Sequence, residues 1–224
     1  MPSSICGVRL ASISSRPLLR WTLIVGPGES LGFAVPAAVG AIFVTSGASA
    51  LVLYMAIVVA GACEGAVLGA SQAYALRPHL PAVEGGRWVA YTALGAAGAW
   101  ALGMLPGTLH DFGAPLAVTI ATGIVAAPLL VLALAGPQAH LLRNHLARAW
   151  RWVPINVLAW AVALPLTFIP GIFVGEDSST ATIVVAFGLG GVGMAFIAAA
   201  VTGAGLLWML GGNPQADPAD GPGT

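Results

Sequence analysis

The sequence predicts an all-α fold, a six-helix transmembrane bundle built from two-helix repeats. Three observations lead there. The chain of 224 residues is 58% hydrophobic and only 7% charged, whereas a soluble domain averages about 25% charged residues; there is too little charge to cover a water-facing surface. Six apolar stretches each supply the ~20 residues that a helix needs to cross the hydrocarbon core. A polar-flanked segment also recurs along the chain at near-constant spacing.

The apolar stretches lie at roughly 21–45, 49–76, 88–107, 113–136, 152–174 and 181–211. Turn or charge signals separate them: Thr45-Ser46-Gly47, Arg77-Pro78-His79, Pro106-Gly107 through His110-Asp111, Arg143-Asn144-His145 and Gly175-Glu176-Asp177-Ser178. Thirty glycines and sixteen prolines do not indicate disorder here, because disorder requires low hydrophobicity and both residues are frequent in membrane helices. Residues 1–20, rich in Ser and Arg, read as an N-terminal cytoplasmic tail, and residues 212–224 as a polar, disordered one. Ala48-Ser49-Ala50 resembles a signal-peptidase site, but the stretch before it is longer than a signal h-region and contains Glu29. It is read as the first span.

Orientation follows from the arginines. Arg9, Arg16 and Arg20 precede the first span, Arg77 and Arg87 bracket the second loop, and Arg143, Arg148 and Arg151 the fourth. The three opposite loops hold His110, Asp111, Glu176 and Asp177 but no Arg. The positive-inside rule then puts the arginine side, with both termini, in the cytoplasm of a cell (inner or plasma) membrane protein. No basic patch remains for nucleic acid. Cys6 and Cys63 form no CxxC pair, so neither a disulfide nor zinc is implied.

The recurring segment is LGASQAYALRPHL at 68–80 and LAGPQAHLLRNHL at 134–146. Gln72, Ala73, Leu76, Arg77, His79 and Leu80 match Gln138, Ala139, Leu142, Arg143, His145 and Leu146. Arg87-Trp88-Val89 then matches Arg151-Trp152-Val153, and Arg20-Trp21 opens the first span. Three two-helix units follow, 20–86, 87–150 and 151–212, although the sixth span lacks the Gln and the Arg. Units with an even number of crossings share orientation, so their symmetry axis is expected along the membrane normal. The Arg-Trp pairs read as interfacial anchors, with Trp at the headgroups and Arg snorkelling to phosphate.

Small residues mark the expected helix contacts, since close backbone approach drives association in lipid. Gly61, Gly65 and Gly69 form one stripe, Gly95, Ala99 and Gly103 a second, and Gly191, Ala195, Ala199 and Gly203 a third. Pro27, Pro36, Pro128, Pro165 and Pro170 are expected to interrupt their spans.

Two carboxylates lie inside apolar spans. Glu29 is about 12 Å beyond Trp21 and Glu64 about 20 Å before Arg77, at ~1.5 Å per residue, so a shared or linked polar site is expected. An intramembrane acid costs about 2.5–3.5 kcal/mol on insertion scales and is a functional-site hypothesis by default. The bland alternative is a neutral acid bonded to a freed carbonyl or to Ser30. Ser71 shares the Glu64 stripe, and Gln72, Gln138 and Asn156 lie one to two turns inside the arginine end, where amides commonly bond between helices. These six residues are the ligand or ion site candidates. No catalytic residue, metal site or cofactor is indicated: GxSxG, HExxH and Walker motifs are absent, and His79, His140 and His145 lack partners at ligand spacing.

The run EGAVLGASQAYALR from Glu64 to Arg77, with the Arg-Trp-Val starts and the Asn156–Trp160 segment, resembles a group of uncharacterised bacterial six-helix membrane proteins. That resemblance implies no activity. Three two-helix units are also the plan of mitochondrial carriers, but their Pro-x-acid-x-x-basic motif is missing: no basic residue follows Pro27-Gly28-Glu29. The leading expectation is a small transporter or permease-like protein that handles a small molecule or ion at Glu29 and Glu64. The alternative is a non-catalytic scaffold or partner subunit, including the substrate-binding subunit of an importer, that pairs with another membrane protein or a second copy. An intramembrane enzyme ranks last for want of a nucleophile and base.

Overall fold

The computed structural model describes residues 15–175 and 177–212. Its elements are helices: α1 (Ser15–Thr45), α2 (Ala50–Leu76), α3 (Gly85–Asp111), α4 (Leu116–Leu142), α5 (Trp152–Ala163), α6 (Pro170–Phe173) and α7 (Thr180–Gly211). A 3-10 turn at Ala149–Arg151 leads into α5, and another at Leu164–Thr167 joins α5 to α6. Among the described residues six segments are long and apolar enough to cross a membrane, the fifth running from Ala149 to Phe173. The protein thus has the all-helical architecture of a multi-pass membrane protein.

The helices outrun their hydropathy limits. α1 begins by Ser15, so Arg16 and Arg20 stand on helix where a tail was expected; residues 1–14 and 213–224, with Arg9 and Cys6, lie outside the described residues. α4 continues through Pro137 and Gln138 to Leu142. Polar residues end an apolar stretch, but they do not end a helix whose backbone has no water to bond instead. The same constraint decides the prolines. Pro27 and Pro36 lie within continuous α1 and Pro128 within continuous α4, so the expected interruptions do not occur there. Pro165 and Pro170 do break the fifth span, because they disturb consecutive turns.

Packing forms a closed ring. Each helix touches the next in the order α1, α2, α3, α4, α5, α7, and α7 returns to α1. The small-residue stripes make these contacts. A Cβ at Gly65 would meet Ala96 Cβ at 2.5 Å and the Thr92 carbonyl at 2.6 Å, and one at Gly95 would meet the Ala133 carbonyl at 2.5 Å. Gly203 faces Trp21, Gly191 faces Phe33, and Gly28 faces Ser71. Such contacts replace the hydrophobic drive that lipid cannot supply. Outward faces carry exposed Leu31, Val59, Leu94, Ile124 and Val184, which suits contact with acyl chains.

At the arginine end the interior is filled by Trp21, Trp88 and Trp152, packed with Leu76, Leu142 and Leu206. The expected interfacial role of the tryptophans is therefore corrected: they are 3%, 0% and 0% exposed and turn into the ring. Their arginine neighbours turn away onto aromatic faces, Arg20 over Tyr74, Arg87 over Tyr91 and Arg151 over Trp208 at 4.6 Å. The matched runs also end in matched turns. The Leu76 carbonyl accepts from the N–H groups of His79 and Leu80, and the Leu142 carbonyl from those of His145 and Leu146.

Candidate intramembrane site

The tryptophans turn inward because each indole N–H meets a buried acceptor. Trp88 Nε1 donates to Gln72 Oε1 at 3.0 Å, and Trp152 Nε1 donates to Gln138 Oε1 at 2.7 Å. Trp21 Nε1 donates to Thr202 Oγ1 at 3.4 Å. Each tryptophan starts an outgoing helix, and each acceptor lies near the end of a returning one. Thr202 therefore stands where the sixth span lacks the glutamine of the second and fourth.

Gln138 links the belt. Its amide Nε2 donates to Gln72 Oε1 and to Thr92 Oγ1, both at 2.9 Å. Thr92 Oγ1 donates to the Trp88 carbonyl at 2.8 Å, and Asn156 Nδ2 donates to the Trp152 carbonyl at 2.8 Å. Donors and acceptors match in kind, which a buried network requires if it is to stabilise its helices. The belt closes the interior at the arginine end.

Beyond it lies a small gap of about 20 Å³ bordered by Glu29, Gln72, Gln138, Asn156 and Thr202. A water molecule needs about 10–15 Å³ by this measure and two or more polar partners, so the gap accommodates one. Farther from the arginine end is a cavity of about 330 Å³. Glu29 borders both spaces.

Glu64 lies beside Glu29 in the lining of the larger cavity, near enough for the two carboxyl groups to share a hydrogen bond when one of them is protonated. Its Oε2 accepts the indole N–H of Trp100. Glu29 is 2% exposed, and apart from the Glu64 carboxyl neither of its oxygens has a hydrogen-bond partner among the described residues. Ser30 does not serve it, since its hydroxyl donates to the Gly26 carbonyl at 2.8 Å. The remaining wall is apolar and aromatic, with Phe33, Trp100, Trp160 and Phe168 joined by Leu68, Leu130, Leu134 and Met194. Phe33 and Trp100 stack with centroids 6.3 Å apart.

The structure thus brings Glu29 and Glu64 to one cavity and Glu29, Gln72, Gln138 and Asn156 to another. Ser71 borders neither: its hydroxyl donates to the Leu68 carbonyl at 2.7 Å and it packs on Gly28. Sequence reasoning missed Trp100, Trp160, Phe33, Thr92 and Thr202. The usable signal was the 64-residue spacing from Trp88 to Trp152, which, carried forward from Gln138, falls on Thr202. Among the described residues no three His, Cys, Asp or Glu side chains are grouped to hold a metal ion.

Fold and site define a class, a six-span helical membrane protein with a carboxyl-bearing cavity inside the helix ring. No family model matches the sequence, and neither a curated protein nor a solved structure matches it.

Proposed function

We propose that this chain is a small transporter or permease-like protein of a cell membrane, with both ends cytoplasmic and its substrate site at Glu29 and Glu64. One observation carries the reading: two buried acids, with Glu29 met by no N–H or hydroxyl donor and paired only with the Glu64 carboxyl, border a cavity inside the helix ring. A purely structural carboxyl would be expected to meet backbone or amide donors rather than a second acid. Intramembrane acids that face a cavity mark substrate and ion pathways. The belt of Trp88, Gln72, Gln138 and Trp152 supports a site closed on one side and approached from the other.

Orientation is supported by Arg16, Arg20, Arg77, Arg87, Arg143, Arg148 and Arg151, all at the same end of the helices. A three-unit repeat is supported by the recurrence of one bond, Trp to a returning helix, three times around the ring.

The test is flux in proteoliposomes under an imposed potential, followed with an internal pH dye, over small cations and amines. Wild-type flux abolished by Glu64→Gln is the expected result. Folded protein that moves none of them would return the chain to the scaffold or partner-subunit reading.

A further inference from the structure

Two carboxyl groups share a cavity whose remaining wall, among the described residues, holds no ionisable side chain. On α3, α4, the fifth span and α7, the residues that face them are Ala, Gly, Leu, Met, Phe and Trp. An ionised carboxylate in such surroundings is costly unless a partner charge or hydrogen bonds meet it. Trp100 supplies one such bond to Glu64. Among the described residues only the Glu64 carboxyl comes within hydrogen-bonding reach of Glu29, and it supplies a bond only while one of the two acids holds a proton. With both acids ionised the pair has no counter-charge in the lining, so what neutralises it arrives from outside, as a shared proton or as a cation.

The walls distinguish between kinds of cation. Hard divalent ions take six or more oxygen ligands, whereas two carboxyl groups offer four, one of them already bonded to Trp100. Stripping water from a small ion here would expose it chiefly to hydrocarbon and rings. An organic cation has the opposite needs. Its apolar body fills an apolar cavity, and its diffuse charge is attracted to aromatic faces within about 6 Å. Phe33 and Trp100 stack on one wall, and Trp160 and Phe168 contribute further rings. The volume, about 330 Å³, is at the small end of the range of about 300–1,000 Å³ for small-molecule sites.

Resting on the transport reading above, we infer that the cavity binds a hydrophobic organic monocation, such as a substituted ammonium ion. Glu29 is its counter-charge, and Phe33 and Trp100 are its aromatic contact. Binding exchanges one carboxyl proton for the cation, so the net charge of the site is unchanged and a proton leaves to solvent.

The test uses the full-length protein in detergent and two probes of the same shape, benzyltrimethylammonium and its neutral carbon analogue neopentylbenzene. Binding is read by tryptophan emission, with proton release followed in weak buffer. The expected result is saturable binding of the ammonium ion, about ten-fold or more tighter than the neutral probe. It should be accompanied by proton release and weakened about ten-fold by Glu29→Gln. Should that variant fail to fold, the wild-type comparison of the two probes decides alone. Equal binding of the two probes, no binding of either, or saturation by sodium alone would each overturn the inference. Ammonium binding without flux in proteoliposomes would instead retire the transport reading and leave the ligand class intact.

Discussion

Trp152 donates its indole N–H to Gln138 at 2.7 Å, and both side chains are almost wholly buried, at 0% and 1% exposed. The bond ties the start of α5 to the end of α4. Gln138 simultaneously serves Gln72 and Thr92, so one amide joins groups from α2, α3, α4 and α5. In a membrane, interhelical hydrogen bonds average only about 0.6 kcal/mol, but leaving a buried partner unmet costs about 1–3 kcal/mol. The network's weight therefore lies in what its loss would strand.

Gln138→Leu should accordingly destabilise the protein by about 1–3 kcal/mol, because it strands the Trp152 indole N–H. Adding Trp152→Phe removes that orphan and should recover part of the loss. Thermal unfolding in detergent of both single variants and the double variant checks it; strictly additive losses would show that the two residues do not act together.

The three tryptophan bonds should not be equal. Trp21 reaches Thr202 at 3.4 Å, beyond the usual 2.7–3.2 Å of a good N–H···O bond. Trp21→Phe should therefore cost less than Trp152→Phe, by roughly 0.5–1 kcal/mol. Matched unfolding curves decide it, and an equal or larger loss for Trp21→Phe would contradict the ranking.

The glycine stripes make a sharper contrast. At Gly65 a methyl group would press on the Thr92 carbonyl at 2.6 Å and on Ala93 Cα at 2.8 Å, backbone atoms that cannot turn aside. Gly65→Ala should force α2 from α3 and cost about 1–3 kcal/mol. Gly136 has nothing within 4 Å of the same methyl, so Gly136→Ala should be neutral or favourable through helix propensity. Similar melting temperatures for the two variants would argue against the packing described.

His79, in the turn after α2, has its imidazole pKa held below the ordinary ~6.5, first by partial burial and then by the charge of Arg20. A depressed histidine pKa means that the folded protein binds fewer protons than the unfolded chain there. Its contribution to stability is complete above the unfolded value and is lost as pH falls through the folded one. Arg20→Gln should raise the His79 titration only part of the way, because burial is the larger cause. NMR of histidine-labelled protein measures it, and an unmoved titration would remove Arg20 from the account.

Much of the fold was legible because membrane helices obey one rule, that backbone groups bond within the segment. Hydropathy therefore found six spans, and the glycine stripes found the faces that touch. What was hidden depended on direction. An Arg-Trp pair at a span boundary reads as an anchor, yet the closed ring offers each indole a buried acceptor and leaves only the arginine outside. Glu29 and Glu64 could be placed by depth, but their shared cavity needed the α1–α2 contact, where Gly32 packs directly on the Glu64 backbone. Trp100 and Phe33 looked like ordinary apolar residues until the ring brought them to one wall.

The bond from Trp100 to Glu64 gives the last prediction. Glu64 is 6% exposed, so its acceptor role is played away from bulk water. Gln has a carbonyl oxygen of the same reach and can accept the indole N–H as the carboxyl does. Glu64→Gln should thus keep the fold, with a melting temperature close to wild type, while removing the ionisable group. Leu fills similar volume but accepts nothing. Glu64→Leu should therefore strand the indole N–H and cost about 1–3 kcal/mol, and Trp100→Phe introduced beside it should return part of that loss. Tryptophan emission supplies an independent readout, since the Trp100 contribution should change in Glu64→Leu and persist in Glu64→Gln. If Glu64→Gln destabilises as much as Glu64→Leu, the ionised carboxylate itself holds the helices together. The role of Glu64 as a replaceable hydrogen-bond acceptor would then be wrong.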